Sequence, residues 1–158
     1  MTLSEYASSD GLGLAELLRK KEISSSELAQ LAFEAFQKVN PYINAVIEFF
    51  EDRLESPTYQ PNAPLSGVPM MLKDIGASEA GRKQELGSRL AKGNLARETS
   101  YLTQQFAKAG LINLGRTATP EFALSSTTES VAFGQTKNPW DVTKIAGGSS
   151  GGAAAAIA

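Results

Sequence analysis

Six residues near the end of the chain, Gly147-Gly148-Ser149-Ser150-Gly151-Gly152, set two hydroxyls between two glycine pairs. They run directly into Ala153-Ala154-Ala155-Ala156-Ile157-Ala158. Glycine permits positive φ and close backbone approach, and alanine is the strongest helix former. The stretch therefore predicts a sharp loop feeding a helix N-terminus, where unpaired N–H groups and the dipole favour negative charge. A P-loop would place a lysine after its last glycine, and alanine stands there instead. An ordinary αβ connection stays open on composition alone. A second constraint is Lys73, which follows the apolar run Val68-Pro69-Met70-Met71-Leu72 and precedes Asp74. Such a lysine either reaches solvent or pairs with Asp74. If it is buried without a partner, it loses proton affinity and becomes a base.

The chain contains neither histidine nor cysteine. A Ser-His-Asp triad and a histidine metal site are therefore excluded, as are disulfides, thiolate nucleophiles and zinc–thiolate sites. Any nucleophilic hydroxyl must be activated by another group, and lysine is the candidate. Nothing in the sequence points to a cofactor or a metal. The net charge of −2, from 15 basic and 17 acidic residues, gives no electrostatic case for nucleic acid or an anionic membrane. No apolar run is long enough to span a bilayer. The start, Met1-Thr2-Leu3-Ser4-Glu5-Tyr6, lacks the basic and apolar regions of a signal peptide, so a cytoplasmic compartment is expected. With 158 residues, 42% of them apolar, the chain suits one soluble globular domain with a sizeable core.

In chain order, Ser9 or Asp10 is expected to cap a helix carrying Leu12, Leu14, Leu17 and Leu18. Ser24 to Glu27 reads as a capping box. It opens a helix with Leu28, Leu31, Ala35, Phe36 and Val39 on one face, which Asn40-Pro41 should end. Ile43 to Phe50 reads as a strand, residues 56–66 as a surface connection, and Leu65 to Leu72 as a buried strand delivering Lys73. Asp74 to Asn94 should be an irregular excursion. Thr99 or Ser100 should cap a third helix closed by Gly110, with a short strand at 111–115. Thr119-Pro120-Glu121 reads as the start of a short helix. Asn138-Pro139-Trp140-Asp141 reads as a turn with Trp140 as a packing anchor. Thr127 and Thr128 either line a polar pocket or cap and pair along a strand. Helices alternating with short buried strands predict an α/β layered domain.

Four blocks of this sequence together resemble the amidase signature family. Gly67-Val68-Pro69-Met70-Met71-Leu72-Lys73-Asp74 is similar to its lysine segment. Gly115 to Phe122 and Gly134 to Asp141 are similar to its next two blocks, and Gly147 to Ala155 is similar to its glycine-serine signature. The order and intervals fit, and the likeness covers nearly the whole chain, most loosely over the first 40 residues. Ala118 departs from the asparagine that relatives often carry.

The resemblance implies a Ser-cisSer-Lys triad that hydrolyses linear amides. Lys73 would be the base, and Ser149 the bridging serine that follows a cis peptide bond. Gly147, Gly148, Ser150 and Gly151 would form the supporting loop, with Ser150 bonding to its backbone. Thr127 and Thr128 would be substrate-pocket candidates. It also implies N-terminal helices over residues 1–41, then part of a mixed-sheet α/β/α core over 42–158, all within one domain. In the family the nucleophilic serine and the oxyanion hole lie well beyond the bridging serine. The chain is thus expected to be the N-terminal portion of a longer amidase, inactive alone and prone to self-association through an exposed apolar strand edge. The expected partner is a small-molecule amide. The alternatives are a non-catalytic scaffold domain and an amidotransferase subunit that works on aminoacyl-tRNA.

Overall fold

The computed structural model describes residues 1–158. Three helices come first: α1 (Leu3–Ala7), α2 (Gly11–Arg19) and α3 (Ser25–Ile43). The apolar periodicity gives no sign of α1; it forms because Thr2 and Glu5 make a reciprocal capping box. Asp10, not Ser9, caps α2, its Oδ1 accepting from Gly13 N at 2.7 Å. Ser24 and Glu27 form the expected box at the start of α3. Pro41, however, does not end α3. The helix continues through it to the buried Ile43 and stops at Asn44, whose φ is 50°. A proline in the last turn removes only one intrahelical bond there. The Asn40 carboxamide then turns the chain: Oδ1 accepts from Ala45 N at 2.9 Å and Val46 N at 2.8 Å. The strand expected from Ile43 therefore begins only at Val46.

The main layer consists of β1 (Val46–Phe49), β2 (Pro69–Lys73), α4 (Tyr101–Lys108) and β3 (Ile112–Thr117). The sheet order is β1-β3-β2, with β1 antiparallel and β2 parallel to β3. The parallel pair needs a long crossover, and residues 74–111, including α4, supply it. Every residue of β3 is buried, as expected of a strand covered on both faces. Within β2 only Leu72 is buried, and residues 65–67 are turn rather than strand. Ser100, not Thr99, caps α4, and Gly110 follows at φ 92°, the usual place of a C′ glycine.

Thr119-Pro120-Glu121 opens only a single 3₁₀ turn over Glu121–Ala123, without a side-chain cap. Phe122 and Ala123 take φ of 50° and 57°, which stops a helix. Two small hairpins follow, β4 (Glu129–Ser130) with β5 (Gly134–Gln135) and β6 (Lys137–Asn138) with β7 (Asp141–Ile145). The expected turn is the tip between β6 and β7. Trp140 sits on it 83% exposed and so is not a packing anchor; the turn is shaped by Trp140 N donating to Asn138 Oδ1 at 2.9 Å. Last comes α5 (Gly151–Ile157). The architecture is mixed α/β, helices followed by a mixed sheet. No helix is long and apolar enough to cross a membrane.

Three apolar clusters lock these pieces together. Leu14, Ala15, Ile23, Leu28 and Val68 join α2 and α3 to the start of β2. Ala29, Leu54, Ile112 and Leu114 join α3 to β3. Ile43, Ala45, Val46 and Ala155 seat α5 against β1. Each fully buried leucine or isoleucine contributes about 1.5–3 kcal/mol.

Residues 74–98 are irregular, as expected, and charge holds them to the sheet. Arg116 on β3 is 4% exposed and meets three carboxylates. Its Nε donates to Glu48 at 2.7 Å, its Nη2 to Glu85 at 2.9 Å, and its Nη1 to Asp74. Asp74 also accepts from Glu85 N at 2.9 Å and Gly87 N at 3.0 Å, while Glu85 accepts from Gly93 N at 2.7 Å. Arg53 pairs with Glu79, Arg82 with Asp52, and Lys83 with Glu48. Burial opposes the Glu85 charge, but the Gly93 N–H and Arg116 outweigh it and hold its pKa below the ordinary glutamate value. Burial likewise opposes Glu79, and Arg53 with Asn113 outweighs it.

Both glutamates therefore have depressed pKa values in the folded state. The stability they supply is complete above the unfolded value of about 4.3 and is lost as pH falls through the lower folded values. Thermal unfolding followed by circular dichroism between about pH 7 and pH 3 should show a midpoint that falls below about pH 4.5. Glu85→Gln should flatten that fall. A midpoint independent of pH across the range would remove the network from the account.

Candidate active site

Strand β2 carries Lys73 at its C-terminal end, next to Thr117 of β3 in the register. The loop from Ala146 to Ser150 returns to the same place from β7. Lys73 Nζ lies 2.7 Å from Ser149 Oγ and 2.9 Å from Ser150 Oγ. The Gly148–Ser149 peptide bond is cis. Lys73 forms no ion pair: its neighbour Asp74 faces Arg116, so the alternative of a Lys73–Asp74 pair is not what the chain adopts. Burial lowers the lysine pKa below its ordinary value. An amine with hydroxyl partners and no counterion is suited to accept a proton from one of them.

What fixes the loop is the tight seating of α5. Gly152 N donates to Ala118 O at 3.3 Å, and Ala118 N donates to Ala45 O at 2.8 Å. A Cβ on Gly152 would stand 2.3 Å from Ala118 N and 2.6 Å from Ala45 O, so only glycine fits. Gly151 N donates to Thr128 Oγ1 at 3.0 Å, and a Cβ there would meet that oxygen at 2.4 Å. Two of the first-turn donors expected to favour an anion are thus already bonded within the fold.

The threonines divide. Thr128 is 1% exposed and its hydroxyl holds Gly151, so it serves the loop rather than an open pocket. Thr127 is half-buried, and its backbone lies where a Cβ on Gly148 would stand 2.8 Å away. Ser150 does not bond to the loop backbone as expected: it caps α5 without a side-chain bond, and its hydroxyl is on Lys73. Gly147 turns the loop at φ 76°.

Sequence reasoning missed two contributors. Thr119, read as a helix cap, donates instead to Ser149 O at 3.2 Å and fixes that carbonyl. Arg116 was available as a signal, being a charge within the otherwise uncharged strand sequence Ile112-Asn113-Leu114-Gly115-Arg116-Thr117. A buried charge requires partners, and the acidic residues of the excursion supply them.

Comparison with known proteins adds a family. The Amidase family model matches residues 27–158. The 6-aminohexanoate-cyclic-dimer hydrolase of Paenarthrobacter ureafaciens is 38% identical over 151 residues, covering 94% of this chain and 31% of that protein. A subunit of the glutamyl-tRNA(Gln) amidotransferase of Methylobacillus flagellatus is 37% identical over 153 residues, covering 92% of this chain and 31% of that protein. The solved structure of 6-aminohexanoate cyclic dimer hydrolase complexed with substrate superposes with a TM-score of 0.87 at 38% identity, covering 95% of this chain and 32% of that one. The chain thus spans about a third of the length of the curated relatives it matches.

The seating of α5 is directly testable. Gly152→Ala forces a methyl into backbone and is expected to destabilise the chain by about 1–3 kcal/mol, read from urea unfolding. An unchanged midpoint would mean that α5 does not need this approach.

Proposed function

Because this chain belongs to the amidase signature family, we propose that the protein hydrolyses a carboxamide C–N bond through a serine acyl-enzyme, with Lys73 as base and Ser149 as proton relay. The observation that carries the reading is the 2.7 Å approach of Lys73 Nζ to Ser149 Oγ, made without any carboxylate on the amine. The nucleophilic serine is the one that the family resemblance places beyond Ser149. Its hydroxyl proton passes to Ser149 Oγ as Ser149 gives its own to neutral Lys73. The freed oxygen attacks the amide carbon to form an ester as the C–N bond breaks; Ser149 gives its proton to the leaving nitrogen and regains one from Lys73. Water is the second nucleophile: it loses a proton through Ser149 to Lys73 and attacks the ester carbon, the acyl–oxygen bond breaks, and the proton returns through Ser149 to the freed serine Oγ. Ser150 gives the amine a second hydroxyl at 2.9 Å and so helps to orient it.

The reading concerns the whole protein. Residues 1–158 assayed alone are expected to give no turnover, since they supply the base and relay and the resemblance places the nucleophile later. Aryl, aliphatic, cyclic oligomeric and peptide amides are all suitable substrates for a first panel. A second reading has its own support in the 37% identity to a glutamyl-tRNA(Gln) amidotransferase. On that reading the same Lys73 and Ser149 release ammonia from glutamine, and activity requires partner subunits.

In the full-length protein, Lys73→Ala and Ser149→Ala should each lower kcat/KM on a responsive amide by roughly 10²–10⁴-fold. The base works as a neutral amine, so the rate should rise with pH as Lys73 loses its proton. Burial sets that limb below the ordinary lysine range. Near-normal turnover by Lys73→Ala would refute the assignment. Turnover of glutamine alone, and only with partner subunits present, would select the second reading.

A further inference from the structure

The backbone of the glycine-serine loop makes very few hydrogen bonds. Ala146 N donates to Thr136 O at 3.0 Å, and Gly151 N donates to Thr128 Oγ1 at 3.0 Å. Between those two points no backbone N–H of residues 147–150 bonds within the fold. Two carbonyls do. Ser150 O accepts from Ala154 N at 3.0 Å at the start of α5, and Ser149 O accepts from Thr119 Oγ1 at 3.2 Å. Ser149 and Ser150 are also the residues whose hydroxyls meet the Lys73 amine, at 2.7 and 2.9 Å. The peptide that joins them is therefore held at its carbonyl by a single side chain. At 3.2 Å the bond is long for a hydroxyl donor, but that oxygen has no other donor and the hydroxyl no other partner.

We propose that Thr119 is a positioning residue for the Lys73–Ser149 relay: its buried hydroxyl holds the Ser149–Ser150 peptide so that both serine hydroxyls reach one amine. This rests on the reading of Lys73 and Ser149 as base and relay. Thr119 is a firm support, being 1% exposed on a backbone fixed from two directions. Ala118, just before it, bonds to Ala45 O and Gly152 N, and Gly87 lies so close that a Cβ there would stand 2.6 Å from Thr119 O. Without the hydroxyl, the Ser149 carbonyl has no partner in the fold, and an unpaired carbonyl is favoured only where it can turn to water. The two serine side chains sit on either side of that peptide, so its rotation moves one hydroxyl relative to the other. Proton transfer needs the hydroxyl within hydrogen-bond reach of the amine, and a misplacement of about 1 Å can cost roughly 10²-fold in rate. The proposal assigns this role to the hydroxyl of Thr119 and none to its methyl.

The test is turnover of a responsive amide by the full-length protein and its variants. Thr119→Val keeps the shape and loses the hydroxyl, whereas Thr119→Ser keeps the hydroxyl and loses the methyl. Thr119→Val should lower kcat by roughly 10–100-fold with KM within about twofold of the parent. Thr119→Ser should keep kcat within about threefold of the parent. A folded Thr119→Val protein with the parent kcat, or a Thr119→Ser protein as slow as Thr119→Val, overturns the proposal. If Thr119→Val does not fold, Thr119→Ala takes its place: a Thr119→Ser protein faster than Thr119→Ala by about tenfold or more supports the proposal, and a smaller difference overturns it. Thr119→Val added to Lys73→Ala should cost no further activity, because the hydroxyl acts through the amine. Losses that multiply would show a general structural role and overturn the proposal. Normal turnover by Lys73→Ala removes the base reading itself, whereas a slow Lys73→Ala beside a normal Thr119→Val removes the positioning alone.

Discussion

The approach of α5 to the sheet is the contact on which the rest of the site depends. Ala45, Ala118 and Gly152 form a short ladder of backbone bonds with no side chain between them. Ala45 is set by the Asn40 carboxamide, so the end of α3, the exit of β3 and the start of α5 are tied at one point. Once Gly152 is seated, Ser149 and Ser150 have little choice of position, and the amine of Lys73 lies within reach of both. Thr119 and Thr128 then fasten the loop on either side through one bond each. Ala155 extends the same contact into apolar packing with Ile43, Ala45 and Val46. The polar site thus rests on a patch of small residues, because only small residues allow backbone to approach backbone this closely.

The charged layer behind Lys73 follows a different logic. A buried guanidinium with three carboxylates is weak support for stability, since apolar side chains of similar volume often do as well. What such an arrangement supplies is definition. Each carboxylate has one assigned direction, and the guanidinium fork fixes several at once. Residues 74–98 contain few apolar anchors, so these directions determine how the excursion lies on the sheet.

Local features of this chain were legible in its sequence wherever local forces decide. The capping box at Ser24, the Gly110 terminus and the glycine loop before the alanine helix depend on residues within one turn, and they stand as read. Lys73 at a strand end was readable from its apolar approach. The misreadings have tertiary causes. Pro41 stays within α3 because Ile43 finds a core to enter beyond it. Thr119 leaves its capping place because the Ser149 carbonyl comes within 3.2 Å. Trp140 stays in solvent because no element covers the β6–β7 tip. The partners of Arg116 are 31 to 68 residues away in sequence, beyond the reach of any periodicity. Resemblance supplied what local reading could not, the pairing of Lys73 with Ser149 across the chain.

That pairing has a kinetic meaning. The two side chains are separated by 76 residues, and the crossover through α4 and both hairpins lie between them. No fragment that folds by short-range contacts can bring them together. Closing so long a loop is favourable only after the sheet and α5 have docked. The meeting of amine and hydroxyl therefore depends on the docking of elements spread along the chain and not on local propensity. A chain in which the sheet and α5 have not docked holds the lysine and the serines as separate groups, far apart from one another.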